Sequence, residues 1–152
     1  MPYSDLENPR KPRPDDQAFE AAFPVRPGFV VVVGRSPVTL IVLSRIVERA
    51  RMRPVSESPE TAGRMIEECR PAIVVLDGGA DLRDCDAALD SILAQKRLTG
   101  GAAPFVILLT PNNYAHRALE AGGTIDAMVA KPITPERLQP LIEQIRDRAA
   151  HL

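Results

Sequence analysis

Three short runs constrain this chain more than anything else in it: Phe29-Val30-Val31-Val32-Val33, Ala72-Ile73-Val74-Val75-Leu76 and Phe105-Val106-Ile107-Leu108-Leu109. Each is apolar without interruption, rich in β-branched residues, and too short for a helix. A strand with one wet face alternates polar and apolar residues; a strand that does not alternate must be covered on both faces. Ala127-Met128-Val129-Ala130 is a weaker run of the same kind, and Arg53-Pro54-Val55 fits a sheet edge, where a proline costs least.

Between these runs the apolar period changes to that of a helix. Residues 37–51 carry Val38, Ile41, Val42 and Ile46 along one side, and residues 59–69 carry Ala62, Met65, Ile66 and Cys69. Residues 86–97 carry Leu89, Ile92 and Leu93; residues 113–121 have little beyond Ala118 and Leu119; residues 135–149 line up Leu138, Leu141, Ile142 and Ile145. Three of the starts read Ser36-Pro37, Ser58-Pro59 and Thr134-Pro135. A hydroxyl there can accept an orphan backbone N–H, and a proline at the next position has no N–H to leave unpaired.

Strict alternation of buried-type strands with helices predicts a parallel sheet joined by right-handed crossovers. Five such units are too few for an eight-unit barrel. The expectation is a flavodoxin-like, doubly wound five-stranded parallel sheet in the order 2-1-3-4-5, with helices on both faces. The 152 residues, 45% hydrophobic, suffice for one such domain.

Six of the 15 prolines (Pro2, Pro9, Pro12, Pro14, Pro24 and Pro27) fall in the first 27 residues, among nine charged side chains. Such a segment buries too little to offset its ordering entropy, so residues 1–27 are expected to form a disordered tail and residues 28–152 the domain. Removing the tail's 4 basic and 5 acidic groups from 19 and 20 leaves 15 of each, so the domain carries no basic field to draw nucleic acid or an acidic membrane. No apolar run approaches the ~18 residues of a membrane span. Cys69 and Cys85 have neither the spacing nor the histidine neighbours of a zinc site, which points to a reducing, cytoplasmic setting.

In a doubly wound fold, chemistry gathers at the carboxyl ends of the strands. Here those ends are Gly34-Arg35-Ser36, Asp77-Gly78-Gly79, Thr110-Pro111 and Lys131-Pro132. A lone carboxylate, a hydroxyl and an amine can therefore share one crevice. In order and spacing, Asp77 after Val-Val-Leu, Thr110 after five apolar residues, and Lys131-Pro132-Ile133-Thr134 resemble the receiver domain of bacterial two-component response regulators, over residues 29–148.

The resemblance implies a single-domain receiver in a phosphorelay, not an enzyme in its own right. Asp77 would be the phosphoacceptor, charged by a histidine kinase or phosphotransfer protein, with Thr110 and Lys131 on the phosphoryl group. Gly79 would be a binding position in the loop that follows. Output would pass to a protein partner through the face of the fourth helix, fifth strand and fifth helix (113–121, 127–130 and 135–149). The alternative is a phosphorylation-independent pseudo-receiver, the same fold serving as a docking module.

The departures are specific. Receivers place an acidic pair just after the first strand to help hold Mg²⁺; here those positions read Gly34-Arg35. Mg²⁺ demands oxygen ligands in near-octahedral array, so little or no metal binding is expected. A permanent guanidinium stands at one of the two positions, which predicts Arg35 as a metal surrogate that brackets Asp77 together with Lys131. Met128 replaces the aromatic usual three residues before the lysine. Other chemistries fail on residues: there is no Gly-x-Gly-x-x-Gly after the first strand, no Walker loop and no Gly-x-Ser-x-Gly elbow.

Overall fold

A computed structural model describes residues 25–78, 85–101, 103–111 and 124–149. Nine elements follow one another along them: β1 (Arg26–Val33), α1 (Pro37–Arg49), β2 (Arg53–Glu57), α2 (Pro59–Cys69), β3 (Pro71–Asp77), α3 (Asp86–Leu98), β4 (Phe105–Thr110), β5 (Ala127–Ala130) and α4 (Pro135–Ala149). The five strands form one sheet in the order β2-β1-β3-β4-β5, every pair parallel. This is the doubly wound order expected from the sequence.

The uniformly apolar strands behave as their composition demands. Along β1 the side chains alternate between two cores: Val30 and Val32 face α1 and α4, while Val31 and Val33 face α2 and α3. All four are at most 1% exposed. Burying one valine side chain is worth about 1.5–3 kcal/mol, so neither face of β1 can be left uncovered. Leu43, Ile46, Val47, Leu138, Ile142 and Ile145 cover the first face. Ala62, Ile66, Cys69, Ala88 and Ile92 cover the second. Cys85 is buried in that same core, beside Cys69.

Three details correct the sequence reading. β1 starts at Arg26, which pairs with Pro71, three residues before the apolar run at Phe29, and Val25 packs against the α1-side core. Residues 1–24 of the expected tail lie outside the described residues. In α1 the buried side chains are Leu43, Ile46 and Val47, while Val38, Ile41 and Val42 are exposed. The helix is apolar around much of its circumference, and the side that goes inside lies about 80–180° around from Val38, where Leu43, Ile46 and Val47 face the sheet. In α3, Leu93 is exposed, and Gln95 and Lys96 take buried places beside Ala88 and Ile92.

The helix starts also separate. The Ser36 hydroxyl accepts the Thr39 N–H at 3.3 Å, as a cap should. Ser58 makes no such bond; its hydroxyl lies 3.1 Å from that of Thr61, which donates to Glu57 Oε1 at 2.6 Å. At α4 the Thr134 carbonyl takes the N–H groups of Arg137 and Leu138, both at 3.1 Å. Among the described residues no helix is long and apolar enough to cross a membrane.

Candidate functional site

Parallel strands end together, so one edge of the sheet collects Gly34, Glu57, Asp77, Thr110 and Lys131. β3 runs buried along its whole length and delivers Asp77 as its last residue, 9% exposed. In register it sits opposite Leu109 of β4. Thr110 follows one residue on and is 1% exposed. The Thr110 carbonyl accepts the Lys131 N–H at 2.8 Å, extending the β4–β5 ladder one step beyond β5. That bond fixes the point from which the Lys131 side chain departs.

Lys131 then reaches over the end of β4. β3 and β5 lie two strand spacings apart, about 10 Å, which a lysine stem leaning along the edge can bridge. Its Nζ donates to Asp77 Oδ1 at 2.6 Å, the short distance of a charge-assisted bond. The lysine side chain is 33% exposed, so the pair is dry on the carboxylate side and open on the amine side. A nucleophilic oxygen thus sits beside a fixed positive charge at a sheet edge open to an incoming group.

β1 contributes closeness rather than charge. A Cβ on Gly34 would lie 3.4 Å from Asp77 Cβ and 3.7 Å from Asp77 Oδ2, with Leu40 Cδ2 at 3.6 Å. Position 34 therefore faces Asp77 directly. Its N–H donates to the Glu57 carbonyl at 3.1 Å, so Gly34 still belongs to the sheet. α1 begins just beyond, and no acidic residue stands in its first turn to offset the positive end of its dipole.

Arg35 does not meet the expectation placed on it. Its guanidinium pairs with Glu60 of α2 at 2.5 Å, with both side chains more than half exposed. The Arg35 hydrogen bond, helped by Glu60's own backbone N–H, holds the Glu60 carboxyl below the usual carboxylate range. Of the two cations expected on Asp77, the described contact is made by Lys131. Arg35 instead ties the end of β1 to the start of α2, because consecutive residues at a strand end leave on opposite sides.

The described residues at this edge do not by themselves make a divalent-cation site. The position that faces Asp77 carries no side chain, and its neighbour carries a guanidinium turned to Glu60. Among the described residues, no three His, Cys, Asp or Glu side chains are grouped to hold a metal. Gly79 and the helix expected over 113–121 lie outside the described residues.

Sequence reasoning missed one charged group altogether. Lys96, its side chain 10% exposed, pairs with Asp126 at 2.9 Å, and the same carboxylate oxygen accepts the Val106 N–H at 2.8 Å. This clamp joins the end of α3 to the start of β4 and to the segment leading into β5. Thirty residues separate its partners, and no local pattern marks either of them.

Among solved structures, the chain resembles the signal receiver domain of a signal transduction histidine kinase from Syntrophus aciditrophicus, with a TM-score of 0.65, 23% identity, and 80% of this chain and 91% of that one covered. It resembles the signal receiver domain of a putative Luxo repressor protein from Vibrio parahaemolyticus with a TM-score of 0.64 at 22% identity, over 82% and 93% of the two chains. The chemotaxis protein CheY4 of Vibrio cholerae gives a TM-score of 0.62 at 14% identity, over 78% and 98%. No family model and no curated protein matches the sequence. The chain has the fold of a response-regulator receiver domain.

Proposed function

We propose that this receiver-fold chain works in two-component signalling, taking a phosphoryl group on Asp77 from the phosphohistidine of a histidine kinase or phosphotransfer protein. The Lys131–Asp77 contact carries the reading: a carboxylate kept from water, at a parallel-sheet edge, with an ammonium on one oxygen. The oxygen of Asp77 that does not bind Lys131 attacks phosphorus. The P–N bond breaks with its electron pair going to the imidazole, which takes a proton from solvent, and an acyl phosphate forms on Asp77. Negative charge grows on the equatorial oxygens as the two anions approach, and Lys131 lies where it can offset that charge. The Thr110 hydroxyl is a neutral donor on the same edge.

The output is proposed to be protein contact through the face that includes β5 and α4, on which Ile133 packs against the α1-side core. The test is intact-mass spectrometry after incubation with acetyl phosphate or with a phosphorylated phosphotransfer protein. A gain of one phosphoryl group, lost in Asp77→Asn, is the expected result. An unchanged mass with both donors, alongside partner binding indifferent to Asp77→Asn, would replace this reading with a phosphorylation-independent docking module.

A further inference from the structure

We propose that residues 15–24 of this chain dock on the outward face of α1 and cover its apolar stripe. The proposal stands apart from the phosphoacceptor reading. α1 is apolar on its outer side as well as its inner one: Val38, Ile41 and Val42 are 70%, 59% and 40% exposed, while Leu43, Ile46 and Val47 fill the core. Positions 38, 41, 42, 45 and 49 fall on one side of a helix, so the exposed Arg45 and Arg49 continue the stripe toward the end of α1. Single exposed apolar side chains are ordinary on a protein surface, but a contiguous group of them marks a place where something binds. Here the group runs into two guanidinium groups, and it suits a segment that carries large apolar side chains and carboxylates together.

The chain holds such a segment and brings it to this place. Pro2, Pro9, Pro12 and Pro14 all precede Asp15, and no proline falls between Asp15 and Phe23. That span holds Asp15, Asp16 and Glu20, no lysine or arginine, and Phe19 and Phe23 four residues apart. Its charge is opposite to that of Arg45 and Arg49. The composition argument for a tail over residues 1–27 thus applies best to the proline-rich part before Asp15. β1 begins at Arg26, and Val25 packs against the core that also holds Ala50, just past the end of α1. The segment therefore joins the domain at the end of the sheet where α1 finishes. α1 has 13 residues and is about 20 Å long, whereas residues 15–24 reach up to about 33 Å when extended, so they can run its whole length. Tethered this closely, the segment acts at an effective concentration of about 1 mM, and a contact of about 0.1 mM affinity is then closed roughly nine times in ten. The stripe starts at Val38, about one turn beyond Gly34, the position that faces Asp77. A partner that reaches Asp77 over α1 must displace the docked segment.

The test is glutamyl endopeptidase on the full-length protein, with the cut after Glu20 followed by intact mass. Docking slows that cut about tenfold. Arg45→Glu with Arg49→Glu is expected to speed it about tenfold, and so is Ile41→Gln with Val42→Gln, all four positions being exposed. Asp15→Lys with Asp16→Lys, well before the cut bond, should speed it as well. Combined with Arg45→Glu and Arg49→Glu, the two lysine substitutions should bring back the slow rate, because the signs are exchanged on both sides. A rate within about twofold of the unmodified protein in either α1 variant overturns the proposal. A fast cut that the combined exchange does not slow overturns it too. Protection that rises with protein concentration also overturns it, and gives the stripe to a second copy of the chain. A variant that unfolds shows itself by cuts after Glu48 and Glu57, and the remaining variants then decide.

Discussion

The Lys131–Asp77 pair makes a quantitative prediction about stability. Lys131→Met keeps the apolar stem and removes the charge, leaving the Asp77 carboxylate where it is, 9% exposed. Breaking a fully buried pair by deleting one partner costs about 3–5 kcal/mol, and breaking an exposed pair costs about 0–1 kcal/mol. Here one partner is dry and the other is 33% exposed, so the expected loss lies between, about 1–3 kcal/mol. Asp77→Asn is milder, about 1 kcal/mol or less, since the lysine left behind can turn its ammonium to water. The double variant buries no unbalanced charge and should be no worse than Asp77→Asn. The two substitutions are therefore non-additive by about 1–2 kcal/mol, the double variant being more stable than the sum predicts. Urea unfolding of the four proteins at pH 7 measures this. With a slope of about 1–3 kcal/mol/M, Lys131→Met should lower the midpoint by roughly 1 M at unchanged slope. Additivity within about 0.3–0.5 kcal/mol would refute the electrostatic account of this edge.

Three other outcomes follow from the packing and the charges. Leu43→Ala should cost about 2–5 kcal/mol and Ile41→Ala about 0.5 kcal/mol or less in the same urea assay, because α1 buries the first and exposes the second. Asp126→Ala should destabilise more than Lys96→Met, by about 1 kcal/mol or more, since it strands a lysine only 10% exposed and also removes the acceptor of the Val106 N–H; equal effects would sink the clamp. Arg35→Ala should raise the Glu60 pKa toward its ordinary value, read by carbon-13 titration of the carboxyl signal. A carboxyl depressed in the folded state adds stability above its unfolded pKa and loses it as pH falls through the folded value, so the variant should shed less stability on the acid side.

How much of this was legible in the sequence depended on whether a single solution satisfied the pattern. The strands were legible because an unbroken β-branched run has one use, a strand covered twice, and three of these with two weaker runs, all separated by helical patterns, leave one architecture. α1 was not legible in the same way. Val38, Leu40, Ile41, Val42, Leu43, Ile46 and Val47 spread around most of its circumference, and only the position of β1, β3 and α4 decides that Leu43, Ile46 and Val47 go inside. The Ser58 hydroxyl followed the side chain of Thr61 rather than the backbone, a choice that local sequence does not express. The Lys96–Asp126 clamp depends on a contact between distant segments and left no trace in either one.

The site shows the same division at the scale of one residue. Asp77, Thr110 and Lys131 could be placed at a common edge from strand order alone, because the ends of parallel strands coincide. Which of Gly34 and Arg35 confronts Asp77 could not, because the two differ by one step in a period of two. Val30 and Val32 pack on the α1 side, as do Ile73 and Val75 of the neighbouring strand and Val129 of β5. Carried to the edge, that parity puts Gly34, Asp77 and Lys131 on one side of the sheet, and leaves Arg35 to depart on the other, toward Glu60. The guanidinium of Arg35 was the more conspicuous signal in the sequence. Gly34, which carries no side chain, is nevertheless the position that faces Asp77.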